Sequence, residues 1–61
     1  MKSVGQMIKQ LAGLAGTKDV NDWENRFIES VVAWTSDGER TGGLSAAQIE
    51  VIERLYRKHF A

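Results

Sequence analysis

The chain has 61 residues, room for one small domain, and its 43% hydrophobic and 26% charged content is globular rather than disordered in character. Eight Lys/Arg against eight Asp/Glu exclude the strongly basic balance of a typical nucleic-acid-binding domain. The absence of cysteine excludes disulfides, thiol nucleophiles and thiolate metal ligands, and no apolar run approaches the roughly 20 residues that span a membrane. A soluble, cytoplasmic mini-domain is the expectation. Gln6, Lys9 and Gln10 interrupt any signal-peptide core, and Met1 suggests a complete small open reading frame.

The first predicted element is a helix over about residues 3–15. Val4, Met7, Ile8, Leu11 and Leu14 recur at helical spacing, with Ala12 and Ala15 on the same side. Ser3 reads as its N-cap and Gly16 as the residue that ends it. Gly5 and Gly13 each cost about 1 kcal/mol relative to alanine inside a helix. This helix therefore depends on packing its apolar face.

The second helix is predicted over about residues 22–36. Asn21 and Glu24 form a capping-box pair, and Asp22 and Glu24 favour the positive end of the dipole. Trp23, Phe27, Val31 and Trp34 form one stripe, widened by Ile28 and Val32, and core or hairpin packing is its expected use. Ser36-Asp37-Gly38 ends the helix, with Gly38 left-handed.

A polar loop through Gly42 and Gly43 leads to a third helix over about residues 46–59. Ser45 caps it, Gln48 completes the box, and Leu44 with Ile49 reads as a hydrophobic staple. Ile49, Ile52, Leu55, Tyr56 and Phe60 share a face. Glu50–Arg54 and Glu53–Arg57 are predicted ion pairs on the other side. No segment alternates with the period of a strand. The expected fold is all-α: a three-helix domain in which helices 2 and 3 form an antiparallel hairpin, the aromatic stripe packs on the Ile/Leu/Tyr face, and helix 1 lies across what remains.

The chain carries little catalytic chemistry. One histidine, His59, cannot build a histidine metal site, and its place in the last turn is explained by the helix dipole. Capping explains Ser45, and no base is spaced to activate it. Gly38, Gly42 and Gly43 lack the Lys-Ser/Thr pair of a phosphate-binding loop. No catalytic residue, cofactor or metal is expected.

Charge is unevenly placed. Residues 1–18 carry Lys2, Lys9 and Lys18 and no acid. Residues 19–39 carry Asp19, Asp22, Glu24, Glu29, Asp37 and Glu39 against Arg26, and residues 40–61 carry Arg40, Arg54, Arg57 and Lys58 against Glu50 and Glu53. An acidic middle helix between basic neighbours is the simplest reading. The first functional expectation is a non-enzymatic adaptor that binds another protein through Met7, Ile8, Leu11 and Leu14 on helix 1. The alternatives are nucleic-acid binding through Arg40, Arg54, Arg57 and Lys58, with Trp23 or Trp34 stacking on a base, and membrane-surface binding through helix 1. Apolar surface left over in so short a chain also predicts a weak homodimer: the wide stripe on helix 2 and the apolar face of helix 1 are the expected leftovers, and helix 1 is a candidate seam.

Trp23-Glu24, Phe27, Ser30, the polar stretch, Leu44-Ser45, Gln48, Ile52 and Leu55 together resemble a helical hairpin module of small phage- and prophage-encoded proteins and of the tails of phage replication and recombination proteins. The resemblance covers residues 23–60 and excludes helix 1. It implies accessory work around DNA in a phage or mobile-element setting, and it implies no catalytic residues.

Overall fold

The computed structural model describes residues 3–60, and Met1, Lys2 and Ala61 lie outside them. Helix α1 (Val4–Ala12) begins at Ser3, whose Oγ accepts the Gln6 N–H while Gln6 Oε1 accepts the Ser3 N–H, both at 3.2 Å. Helix α2 (Asp22–Trp34) begins with the same exchange between Asn21 and Glu24, at 2.7 and 3.0 Å. Helix α3 (Ala46–Phe60) begins with Ser45 and Gln48, at 3.1 and 2.8 Å. Each box satisfies two backbone donors that a helix start otherwise leaves orphaned.

The C-terminal ends differ from the sequence reading. α1 stops at Ala12, because the N–H groups of Gly13, Leu14 and Ala15 bond three residues back instead of four. That tighter turn runs to Gly16, which takes φ 80°. α2 stops at Trp34. Thr35 is buried there, and its Oγ1 donates to Val31 O at 2.7 Å and accepts the Gly38 N–H at 3.0 Å. Ser36, Asp37 and Gly38 then take φ 52°, 61° and 87° in succession, where the sequence marked only Gly38 as left-handed.

The core consists of Met7, Ile8 and Leu11 from α1, Ile28 and Val31 from α2, and Ile52 and Leu55 from α3. The described residues are all-α with three helices, and α2 and α3 run antiparallel, since Glu24 at the start of α2 meets Lys58 and His59 at the end of α3. The helix that joins the bundle is nevertheless α1. It packs closely on both others, whereas α2 and α3 approach each other much less along their length.

The expected packing of the aromatic stripe on α3 is corrected accordingly. α2 turns the row Glu24, Ile28, Val31, Thr35 inward, and Trp23 and Trp34 are 59% and 66% exposed. Glu24 faces inward where its carboxylate meets Lys58 and His59 of α3. The core, six branched aliphatic side chains and Met7, has no room for two indoles at close packing.

α1 is held to the α2–α3 loop by a backbone approach of two glycines. A Cβ built on Gly5 would stand 2.5 Å from Gly38 O, and one built on Gly38 would stand 2.6 Å from Gly5 O. Lys9 and Glu39 close the same seam with an exposed ion pair at 3.2 Å. Gly5 is therefore a contact requirement as well as the propensity defect read from the sequence.

Candidate protein-binding surface

Met7, Ile8 and Leu11, expected to face a partner, are buried in the chain's own core, and Leu14 is half-buried against it. The physical reason is that a short bundle needs the strongest apolar stripe it has, and α1 carries it. This correction withdraws that face from partner docking, from a dimer seam and from membrane contact alike. No helix among the described residues is long and apolar enough to cross a membrane.

The exposed apolar surface lies on α2 instead. Trp23, Arg26, Phe27, Ser30 and Trp34 follow at i, i+3, i+4, i+7 and i+11, which places them along one side of the helix. The rings of Trp23 and Phe27 stack with centroids 5.6 Å apart and planes within 8°. Phe27 reaches inward beside Ile8 and Ile52, so it anchors Trp23 to the core. The Trp34 indole nitrogen lies beside Gly43, where an added Cβ would stand 3.4 Å from it. The two indoles are about 16 Å apart along the helix axis at 1.5 Å per residue. Both are thus supported at one side and open at the other. A second stack, Tyr56 on Phe60 at 5.3 Å, leaves Phe60 44% exposed at the end of α3.

Of the residues proposed for nucleic acid, Arg54, Arg57 and Lys58 follow at i, i+3 and i+4 on one side of α3, and Arg40 lies apart from them in the α2–α3 loop. Arg54 is 3.5 Å from Glu50, the predicted i, i+4 pair, and Lys58 donates to Glu24 Oε2 at 2.8 Å. The other predicted pair, Glu53–Arg57, does not form. Arg40 lies in the α2–α3 loop ahead of α3, and Arg57 lies near that helix's far end, about 16 Å along the axis from its first residue. Two of the four cations are engaged by acids, Arg54 in an exposed pair and Lys58 on the buried Glu24, and Arg40 stands outside the group on α3.

Glu24 is the buried charge among the described residues. Oε1 accepts the Asn21 N–H, and Oε2 accepts from Lys58 Nζ and stands 3.6 Å from His59 Nε2. The Lys58 hydrogen bond and then the Asn21 backbone N–H hold its carboxyl below the ordinary value of 4.5, outweighing burial, which pushes the other way. The sign follows directly. A group with a depressed folded pKa contributes its stability above the unfolded value and loses it as pH falls through the folded one. Thermal melts should therefore show the parent losing stability progressively below about pH 4.5. Glu24→Gln should be less stable at neutral pH by about 1–2 kcal/mol and show a flatter acid limb. Parallel pH profiles for the two chains would contradict the assignment.

Among the described residues, no group of three or more His, Asp or Glu side chains is placed to hold a metal ion. An open groove of about 300 Å³ lies between α1 and α2, lined by Ala12, Ala15, Glu29, Val32 and Ala33. Glu29 beside it is positioned by Asn25, whose Nδ2 donates to it at 3.2 Å while its Oδ1 accepts the Gly16 N–H at 2.6 Å.

No protein-family model matches the chain, and no curated protein or solved structure is significantly similar to it.

The aromatic face is legible in the sequence as a stripe, expected first in the core and also among the apolar surface left over. A signal against the core assignment is present in the sequence. Arg26 and Ser30 fall on the same arc as Trp23 and Trp34, whereas Ile28 and Val31 fall on an arc shared with the buried Thr35.

Proposed function

We propose that this chain is a non-enzymatic helical accessory protein that works by binding another protein, and that the exposed aromatic face of α2 is its contact surface. One observation carries the reading: Trp23 and Trp34 are both more than half exposed on one side of one helix, with Arg26 between them. Solvent-exposed indoles in a small soluble bundle are costly, and Trp and Arg are the residue types most enriched where binding energy concentrates. The resemblance of residues 23–60 to phage hairpin modules adds a phage-type, cytoplasmic setting to this proposal.

Nucleic-acid binding is the alternative, because an exposed indole also stacks on bases. The carboxylates of Asp22, beside Trp23, and Asp37, in the left-handed turn that follows α2, oppose a phosphate backbone there. The decisive experiment is capture from lysate of the chain's own cells, after nuclease treatment, on the parent chain and on a Trp23→Ser/Trp34→Ser chain. Circular dichroism would show the two equally helical. A protein retained by the parent and lost by the double variant supports the reading, and identical captures overturn it.

A further inference from the structure

We infer that the partner meets α2 with a cationic segment, a stretch of protein that presents Lys or Arg side chains on either side of an apolar patch. The inference rests on the protein-binding reading above and adds the partner's chemistry to it. Six acids fall between residues 19 and 39. Two of them are engaged within the molecule, Glu24 by Lys58 at 2.8 Å and Glu39 by Lys9 at 3.2 Å. Asp19, Asp22, Glu29 and Asp37 have no cation within 4.0 Å among the described residues, and Arg26 is the sole basic residue of the segment. The internal complementarity expected between an acidic middle helix and basic neighbours is therefore only partly realised.

The positions of the unpaired acids matter as much as their number. Asp19 and Asp22 stand at the Trp23 end of the aromatic face, and Asp37 stands beyond the Trp34 end. The open parts of two indoles supply on the order of 300 Å² of apolar area. That is well short of the roughly 800 Å² per side of a standard interface, so a charged rim has to take part. A lysine or arginine at either end of the partner segment finds a carboxylate, and one over the open face of an indole gains a cation–π contact. A second copy of this chain fits poorly. Pairing α2 with α2 antiparallel about a two-fold axis brings the Asp22 end of one copy to the Asp37 end of the other, and like charges meet.

Ser30 is exposed and lies between the two tryptophans, so it is the place for a probe. The full chain carrying photo-reactive benzoylphenylalanine at position 30 is irradiated in the cells that make it, and the crosslinked peptide is sequenced by mass spectrometry. The expected peptide has more Lys and Arg than Asp and Glu within about ten residues of the crosslink. The isolated complex should weaken about five-fold or more between 50 and 300 mM NaCl, and likewise in an Asp22→Asn/Asp37→Asn chain. A neutral or acidic peptide, a second copy of this chain, or a salt-independent affinity overturns the inference while the protein-binding reading stands or narrows to self-association. No protein crosslink at all overturns both.

Discussion

Gly38→Ala is expected to cost about 2–4 kcal/mol, the sum of a left-handed backbone penalty and a steric one. The residue holds φ 87°, and its new methyl would stand 2.6 Å from Gly5 O. Stability for a chain of this length is on the order of 3–9 kcal/mol in total, so the variant should melt at least 10 °C below the parent or fail to fold at 25 °C. Gly5→Ala separates the two causes. Its backbone is helical and alanine gains about 1 kcal/mol of helix propensity there, yet its methyl would stand 2.5 Å from Gly38 O. The net expectation is a loss of about 1–2 kcal/mol. Gly13→Ala, where only the chain's own Gln10 carbonyl lies near, should move the melt by no more than a few degrees. Once either glycine has been replaced and the seam has opened, the second replacement should cost less than it does alone. Thermal melts followed by circular dichroism would check all four chains, and a stabilised Gly5→Ala chain would remove the glycine seam from this account.

Leu11→Lys is expected to unfold the chain. Leu11 is 2% exposed among Met7, Ile8, Ile28, Val31, Ile52 and Leu55. The substitution removes a core side chain and places an ammonium group where it has no partner, together worth more than about 4 kcal/mol. Were α1 instead a dimer seam, as the sequence also allowed, the same change would weaken the dimer. Far-ultraviolet circular dichroism and sedimentation velocity on one sample separate these outcomes. Helicity retained with altered association would restore α1 as an interface and contradict its place in the core.

Local chemistry made much of the architecture legible. Asn21 with Glu24 and Ser45 with Gln48 mark two helix starts without ambiguity, because a capping box involves only residues three apart. The apolar row of α1 and the Ile52–Leu55 face of α3 point inward as their periodicity requires. α2 was different. Its apolar and aromatic residues span nearly half its circumference, so periodicity alone allowed either Trp23–Phe27–Trp34 or Ile28–Val31 as the buried centre. The candidate site depended on that choice. The buried side is the one on which Glu24 meets Lys58 and His59 of α3, and a helical wheel treats a carboxylate as an outward residue.

The sequence by itself thus determined the three helices of the described residues and their start points, since each follows from interactions within a turn or two of chain. Tertiary structure alone decided which helix is central, which face of α2 is open, and why Gly5 is glycine. Those outcomes depend on groups far apart in the chain: Glu24 with Lys58, Lys9 with Glu39, and Gly5 with Gly38. Contacts between distant positions are set by the shape of a shared interior of limited volume, and no local pattern encodes how that volume is divided. The small core took the branched aliphatic residues of all three helices and left the two indoles of α2 outside, where a partner can reach them.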